Sequence, residues 1–249
     1  MNRGSDPSSP HGRRFHLFSH RGAAYSISAK RPATIERAIV ALRSELEAYI
    51  VRCPAFRDSL VPVEPLAMAP SIALDMHRAA SAARVGPLAA VAGAMAEHAA
   101  MSGVGEGDED VIVENGGDVF LYSSFPANVS LYAGTTTLAH NLAFAVPADR
   151  MPLAICSSSG VMGHSQSFGA ADLVSVVAKN AALADAAATA LCNRVKTAAD
   201  IEPTLAAAMD IVGVDGVLIV VDGKIGLTGD LPELVRQDDT SADQKITKS

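Results

Sequence analysis

Three stretches of this 249-residue chain carry side chains whose types and spacing can do chemistry. In NAALADAAATALCN, residues 180 to 193, Asp185 and Thr189 stand four apart, so on a helix their oxygens share one face. Ala181, Ala182 and Ala188 surround them, with no Lys or Arg at helical-neighbour spacing. If that face packs inward, an unpaired carboxylate there needs a distant partner, and a divalent metal is one candidate. Mg2+ commonly takes one or two protein carboxylates and leaves its other positions to water and phosphate, which an Asp and a Thr hydroxyl would suit. The same residues also read as a solvent-facing Asp185 with Thr189 bonded to its own helix. Spacing alone does not separate the two.

The second stretch, VIVENGGDVFLY (residues 111 to 122), sets two apolar runs around Asn115, Gly116, Gly117 and Asp118. A hairpin turn with φ > 0 at its centre accounts for the glycines. Alternatively the pair bares main-chain N–H groups to a ligand, with Asn115 and Asp118 adding polar contacts. The third stretch, ICSSSGVMGHSQSFG (residues 155 to 169), offers Ser157, Ser158, Ser159 and Gly160 directly after an apolar run, groups suited to phosphate oxygens. It has neither a Walker loop nor G-x-S-x-G, so a serine-hydrolase elbow is not expected. His164 reads as a ligand contact or a surface histidine, and as a weak candidate for a catalytic base. Cys156 reads as a small buried hydrophobe.

The elements that must position these groups follow from periodicity. RFHLFSHRGAAYSISA predicts a hairpin about residues 20 to 22. From Pro32, residues Ile35, Ala38, Ile39, Leu42, Leu46, Tyr49 and Ile50 recur at helical spacing, and Pro54 supplies a stop. Pro62, Pro65 and Pro70 make residues 59 to 70 an extended connector, and small-residue helices follow at about 71 to 84 and 87 to 101. Strands are expected at 111 to 114, 119 to 122, 129 to 132, 142 to 146 and 153 to 156, and again in LVSVVAK. Helices are expected at about 180 to 193 and 202 to 212, then a hairpin turning at Asp222 and Gly223. Successive strands without intervening helices imply antiparallel pairing, hence an α+β single domain with a largely antiparallel sheet packed by helices. Its expected span is 14 to 235, between polar tails at 1 to 13 and 236 to 249 that lack apolar periodicity.

Composition sets limits. The chain is 49% hydrophobic with a formal charge of −7, and no Lys/Arg cluster can neutralise a run of phosphates, so a nucleic-acid polymer is not an expected partner. A small anionic ligand remains possible. Cys53, Cys156 and Cys192 are odd in number and lack C-x-x-C spacing, which points to reduced thiols and a cytoplasmic address. No signal-peptide core or membrane-spanning run is seen, so no membrane partner is expected. An Ala-rich helical surface would suit a homodimer.

Together and in this order, the motifs resemble the ApbE superfamily, the FAD:protein FMN transferases once called thiamine-biosynthesis lipoproteins. ENGGDV resembles that family's turn, ICSSSG with Gly163-His164 its Ser-Gly turn and His loop, and ADAAATAL its metal-binding helix. VGPLAAVAGAMAE, which begins beside Gly86, resembles the family's Gly-Ala motif. FSHRGAAYSI, ELEAYI and SQSFGAAD are similar to a small, uncharacterised cytosolic branch of it. The resemblance implies Mg2+ on Asp185 and Thr189, and a flavin nucleotide, FAD or another, along Gly86, Asn115 to Asp118, Ser157 to Gly160 and His164. It also implies transfer of FMN to an acceptor protein. The chain departs from the pattern: the Gly-Ala segment lacks a Lys, no Asp-Pro follows His164, and only three residues separate the Ser-Gly turn from His164. Three functions are therefore carried forward: the transferase, a flavin- or anion-binding protein without turnover, and a different small-molecule enzyme on the same scaffold.

Overall fold

The computed structural model describes residues 12–132, 142–161 and 169–236. Strands β1 (His16–His20) and β2 (Ala23–Ser28) form the expected hairpin, with Arg21 and Gly22 at φ of 48° and 82°. Pro32 opens α1 (Pro32–Arg52), which buries the Ile35, Ile39, Leu46 and Tyr49 stripe. A short helix α2 (Ala55–Asp58) follows, then the extended connector. Next come α3 (Ser71–Ala83), a 3-10 turn at Pro87–Ala90 and α4 (Val91–Gly105).

Strands β3 (Asp110–Asn115), β4 (Asp118–Ser123), β5 (Ala127–Leu131), β6 (Leu142–Val146), β7 (Leu153–Ser158) and β8 (Leu173–Ala178) lie within a residue or two of their expected places. They are followed by α5 (Ala181–Arg194), α6 (Ile201–Ala208) and the hairpin of β9 (Val214–Val221) with β10 (Lys224–Gly229). Helix α6 stops at Ala208 rather than running to residue 212, giving way to a turn that ends at Gly213 with φ of 95°.

Two sheets result. The larger has the order β1-β2-β3-β4-β7-β8-β9-β10 and the smaller β11-β6-β5, where β11 is Glu233–Arg236. Every pairing is antiparallel, as the runs of strand without helix imply. β5 and β6 leave the larger sheet and cover one of its faces, which lets β4 pair with β7. The helices cover the other face.

Strand alternation sorts the core accordingly. Val111, Val113, Phe120, Ala154 and Cys156 pack with the helices, whereas Ile112, Val119, Leu121, Leu153 and Ile155 pack under the small sheet. Each such aliphatic side chain, fully buried, stabilises the fold by roughly 1.5–3 kcal/mol. The same alternation carries Asn115, Asp118 and Ser158 to the helix side.

The expected tails are too long by one residue at each end. Arg13 is buried, and its guanidinium donates to Asp110, to Ser123 Oγ and to the carbonyls of Phe125 and Pro126. Arg236 pairs with Leu142 at the end of β11, a strand that periodicity did not reveal because it is four residues long. The remainder of both tails, 1–11 and 237–249, lies outside the described residues. Among the described residues no single helix is long and apolar enough to cross a membrane.

Candidate functional site

The β3–β4 hairpin closes on an Asn115–Asp118 pair, which leaves Gly116 and Gly117 as its two central residues at φ of 66° and 106°. A side chain on either would meet open space, so positive φ rather than crowding accounts for both glycines. The plain turn is therefore sufficient to explain them. Its flanking residues do more. Asn115 and Asp118 are both buried and face the helices. Asn115 Nδ2 donates to the Ala92 carbonyl in the first turn of α4, 3.2 Å away.

Asp118 lies opposite Cys156 at the end of the β4–β7 ladder. Its Oδ1 accepts the Ser157 N–H at 3.2 Å. Burial pushes its carboxyl up to about 7, against the opposing pull of that N–H and of the Cys156 thiol. Cys156 is fully buried and its Sγ donates to the Ala181 carbonyl at 3.5 Å. Burial first, then Asp118 and Asp185, push its thiol well above the usual range, so it is the inert small hydrophobe expected of it and no nucleophile.

Asp185 occupies the second turn of α5, reached from the sheet by way of Ala181. Its Oδ2 accepts the Gly93 N–H at 2.9 Å, an amide in the first turn of α4 that has no partner within its own helix. Asp185 is half-buried. Burial, and secondarily Asp118, push it well above the carboxylate range, while the amides of Gly93 and Ala92 pull it down. The distant partner that the alanine-lined face demanded is thus, in the first place, a helix N-terminus.

Glu97 reciprocates. Its Oε2 accepts the Ala181 N–H at 2.6 Å and an Asn180 Nδ2 hydrogen at 3.3 Å, at the N-terminus of α5. Burial pushes its carboxyl up, with the Ala181 amide and then His98 opposing. Asn180 itself caps α5, its Oδ1 accepting the Leu183 N–H at 2.8 Å. Sequence reasoning missed Glu97. The available signal was spacing, since Glu97 follows Gly93 by four residues as Asp185 follows Ala181.

The other expected site residues divide. Thr189 is half-buried, one turn beyond Asp185, and no hydrogen bond to its hydroxyl is found among the described residues. Ser157 turns to the opposite face, where its hydroxyl meets Ser175 Oγ at 2.7 Å. Ser159 Oγ accepts the nearby Val161 N–H. Ser158 is buried on the helix side, and among the described residues neither its hydroxyl nor the buried Asp172 Oδ2 has a partner.

Gly160 and Gly86 have internal reasons to be glycine. A Cβ would lie 2.3 Å from the Gly169 carbonyl oxygen in the first case and 1.9 Å from that of Ser59 in the second. His164 lies outside the described residues. Asn115, Asp118, Ser158 and Asp185 therefore share the helix-facing side, while Ser157 does not join them. Among the described residues no group of three or more His, Cys, Asp or Glu side chains is arranged to hold a metal ion.

A family model described as AbpE bacteria matches residues 8–221. The UPF0280 protein of Methanocaldococcus jannaschii is 40% identical over 208 residues, spanning 82% of this chain and 84% of its own. The UPF0280 protein of Methanosphaerula palustris is 37% identical over 224 residues, spanning 88% and 92%. Among solved structures, the fold is similar to the flavin transferase ApbE from Vibrio cholerae, with a TM-score of 0.57 at 13% identity over 88% of this chain and 97% of that one. It is also similar to the ApbE protein from Thermotoga maritima, with a TM-score of 0.51 at 12% identity over 91% and 97%.

Proposed function

We propose a function from one premise: this chain belongs to the family described as AbpE bacteria. On that premise it binds a flavin nucleotide with Mg2+ where the β3–β4 turn, β7 and the first turns of α4 and α5 meet. One observation carries the reading. Asp118 and Asp185 face one region with no Lys or Arg bonded to either among the described residues, and the N–H groups of Gly93 and Ala181 are already taken by Asp185 and Glu97. Ionising these two carboxyls beside an entering phosphate needs a cation.

The donor set fits a hard cation, being oxygen only, with one carboxylate and one hydroxyl one helical turn apart. Asp185 and Thr189 would hold the ion, which when bound would neutralise phosphate charge and polarise the phosphoanhydride. The residues of the chain would do the rest. Asn115 steadies the first turn of α4 through the Ala92 carbonyl. Ser158 offers a hydroxyl that no group among the described residues uses.

In FMN transfer, an acceptor Ser or Thr oxygen bonds to the flavin-side phosphorus, the anhydride bond breaks, and AMP leaves. The hydroxyl proton needs a base, and Asp118, pushed up to about 7, has the matching proton affinity. The Vibrio cholerae neighbour is a flavin transferase, which supports this direction. Incubation with FAD, Mg2+ and candidate acceptor proteins tests it. The expected products are AMP and a protein carrying covalent flavin, and finding neither would reject the activity.

A second reading, ligand binding without transfer, is favoured by the missing Lys in VGPLAAVAGAMAE and the missing Asp-Pro after His164. Titration of FAD, FMN and ADP with and without Mg2+ separates the two, because tight binding without AMP release supports a carrier.

A further inference from the structure

Helices α4 and α5 cap one another. Gly93 donates its N–H to Asp185 at 2.9 Å, and Ala181 donates its N–H to Glu97 at 2.6 Å. In each helix the accepting carboxylate stands four residues after the donating amide, so the two contacts are related as a pair. They form at a close approach of the helices: a Cβ on Gly93 would lie 2.2 Å from the Ala181 carbonyl oxygen and 2.9 Å from Asp185 Cβ. At that distance a small shift of the first turn of α5 moves Asp185 off the Gly93 amide.

We infer that Glu97 is a positioning residue for Asp185, fixing the first turn of α5 against α4 so that the Asp185 carboxyl is held at the start of α4. Its geometry suits that task. The same oxygen takes both the Ala181 amide and an Asn180 amide hydrogen, while Asn180 caps the helix from within. The neighbouring His98 acts on Glu97 by charge and makes its own bond elsewhere, its Nε2 pairing with Asp75 Oδ2 at 2.7 Å on α3. Any role of Asp185 toward a cation rests on the function proposed above, whereas its placement by Glu97 does not.

Three substitutions test the inference in the full chain, read by hydrogen exchange of the Gly93 amide and by calorimetric titration of Mn2+ in the presence of ADP. Glu97→Ala should speed Gly93 exchange about tenfold and weaken Mn2+ about tenfold, the loss expected when one buried hydrogen bond goes. Glu97→Gln keeps an oxygen acceptor and should stay within about threefold of the parent in both.

Should Glu97→Ala not fold, Glu97→Asp, which withdraws the acceptor by one methylene, takes its place against Glu97→Gln with the same order expected. Unchanged Gly93 exchange in the Ala or Asp variant overturns the inference. So does a Gln variant as impaired as Ala, since charge rather than contact would then be responsible. A parent protein with no affinity for Mn2+ rejects the proposed function, and Gly93 exchange still decides the positioning role.

Discussion

The Gly93 N–H and the Asp185 carboxylate, 92 residues apart in the chain, meet at 2.9 Å because Gly93 has no side chain to hold the two helices apart. Gly93→Ala would place a Cβ 2.2 Å from the Ala181 carbonyl oxygen, a backbone atom that cannot swing aside. The helices must separate, and overpacking of this kind costs about 1–3 kcal/mol. Gly105, at the other end of α4, has nothing within 4 Å and serves as the control. A urea midpoint clearly lower for Gly93→Ala, with Gly105→Ala unchanged or higher, is the expected result; equal midpoints would show that the crossing is slack.

That contact also marks the limit of what the chain's order discloses. The Asp185–Thr189 spacing and its cation-free alanine face are local, so they could be read directly, as could the β3–β4 turn and the antiparallel order of strands. The group that answers Asp185 could not, because a helix N-terminus becomes a partner only after the fold brings α4 across α5. Gly86 shows the converse. It reads as part of a ligand-lining motif, yet the Ser59 carbonyl already requires a glycine there. In the serine run, alternation along β7 separates Ser157 from Ser158, a distinction visible only once the strand is known to reach Ser158.

Gly117 separates a turn from a ligand contact. At φ of 106° an alanine is strained, and the cost is roughly 1–2 kcal/mol whatever the glycine's purpose. If the bared amides also touch a nucleotide, Gly117→Ala should weaken FAD binding in the presence of Mg2+ by more than the same substitution at Gly22, a turn glycine of the β1–β2 hairpin at φ of 82°. Equal FAD affinity in the two variants would leave the β3–β4 glycines with a purely conformational role.

Asp118 predicts a pH dependence of stability. Its carboxyl sits at about 7 in the folded chain and near 3.9 when unfolded. Between those values the folded state holds more protons, so the contribution of this group is fully retained below about pH 4 and is lost as pH rises toward 7. With about 1.4 kcal/mol per tenfold change in proton affinity, the loss is on the order of 4 kcal/mol at most. Asp118→Asn should therefore match the parent near pH 4 and exceed it at pH 8 in urea unfolding, leaving the slope of the same sign that Asp185 adds. A difference between the two proteins that does not vary with pH would show that folding leaves the proton affinity of Asp118 unchanged.

A cation and a proton compete for the same carboxylates, so Mg2+ should stabilise the parent more at pH 8 than at pH 5. The size follows from mass action, about 2.7 kcal/mol at a hundredfold excess over the dissociation constant. Asp185→Asn isolates the effect, because its amide oxygen can still accept the Gly93 N–H while the charge is gone. Without Mg2+ this variant should unfold at higher urea than the parent at pH 8, since burial opposes the charged form of Asp185. With Mg2+ the advantage should shrink or reverse, as only the parent gains. A parent midpoint indifferent to Mg2+, with and without ADP, would leave the first turn of α4 as the sole compensation for Asp185, and the cation would have no place in the site.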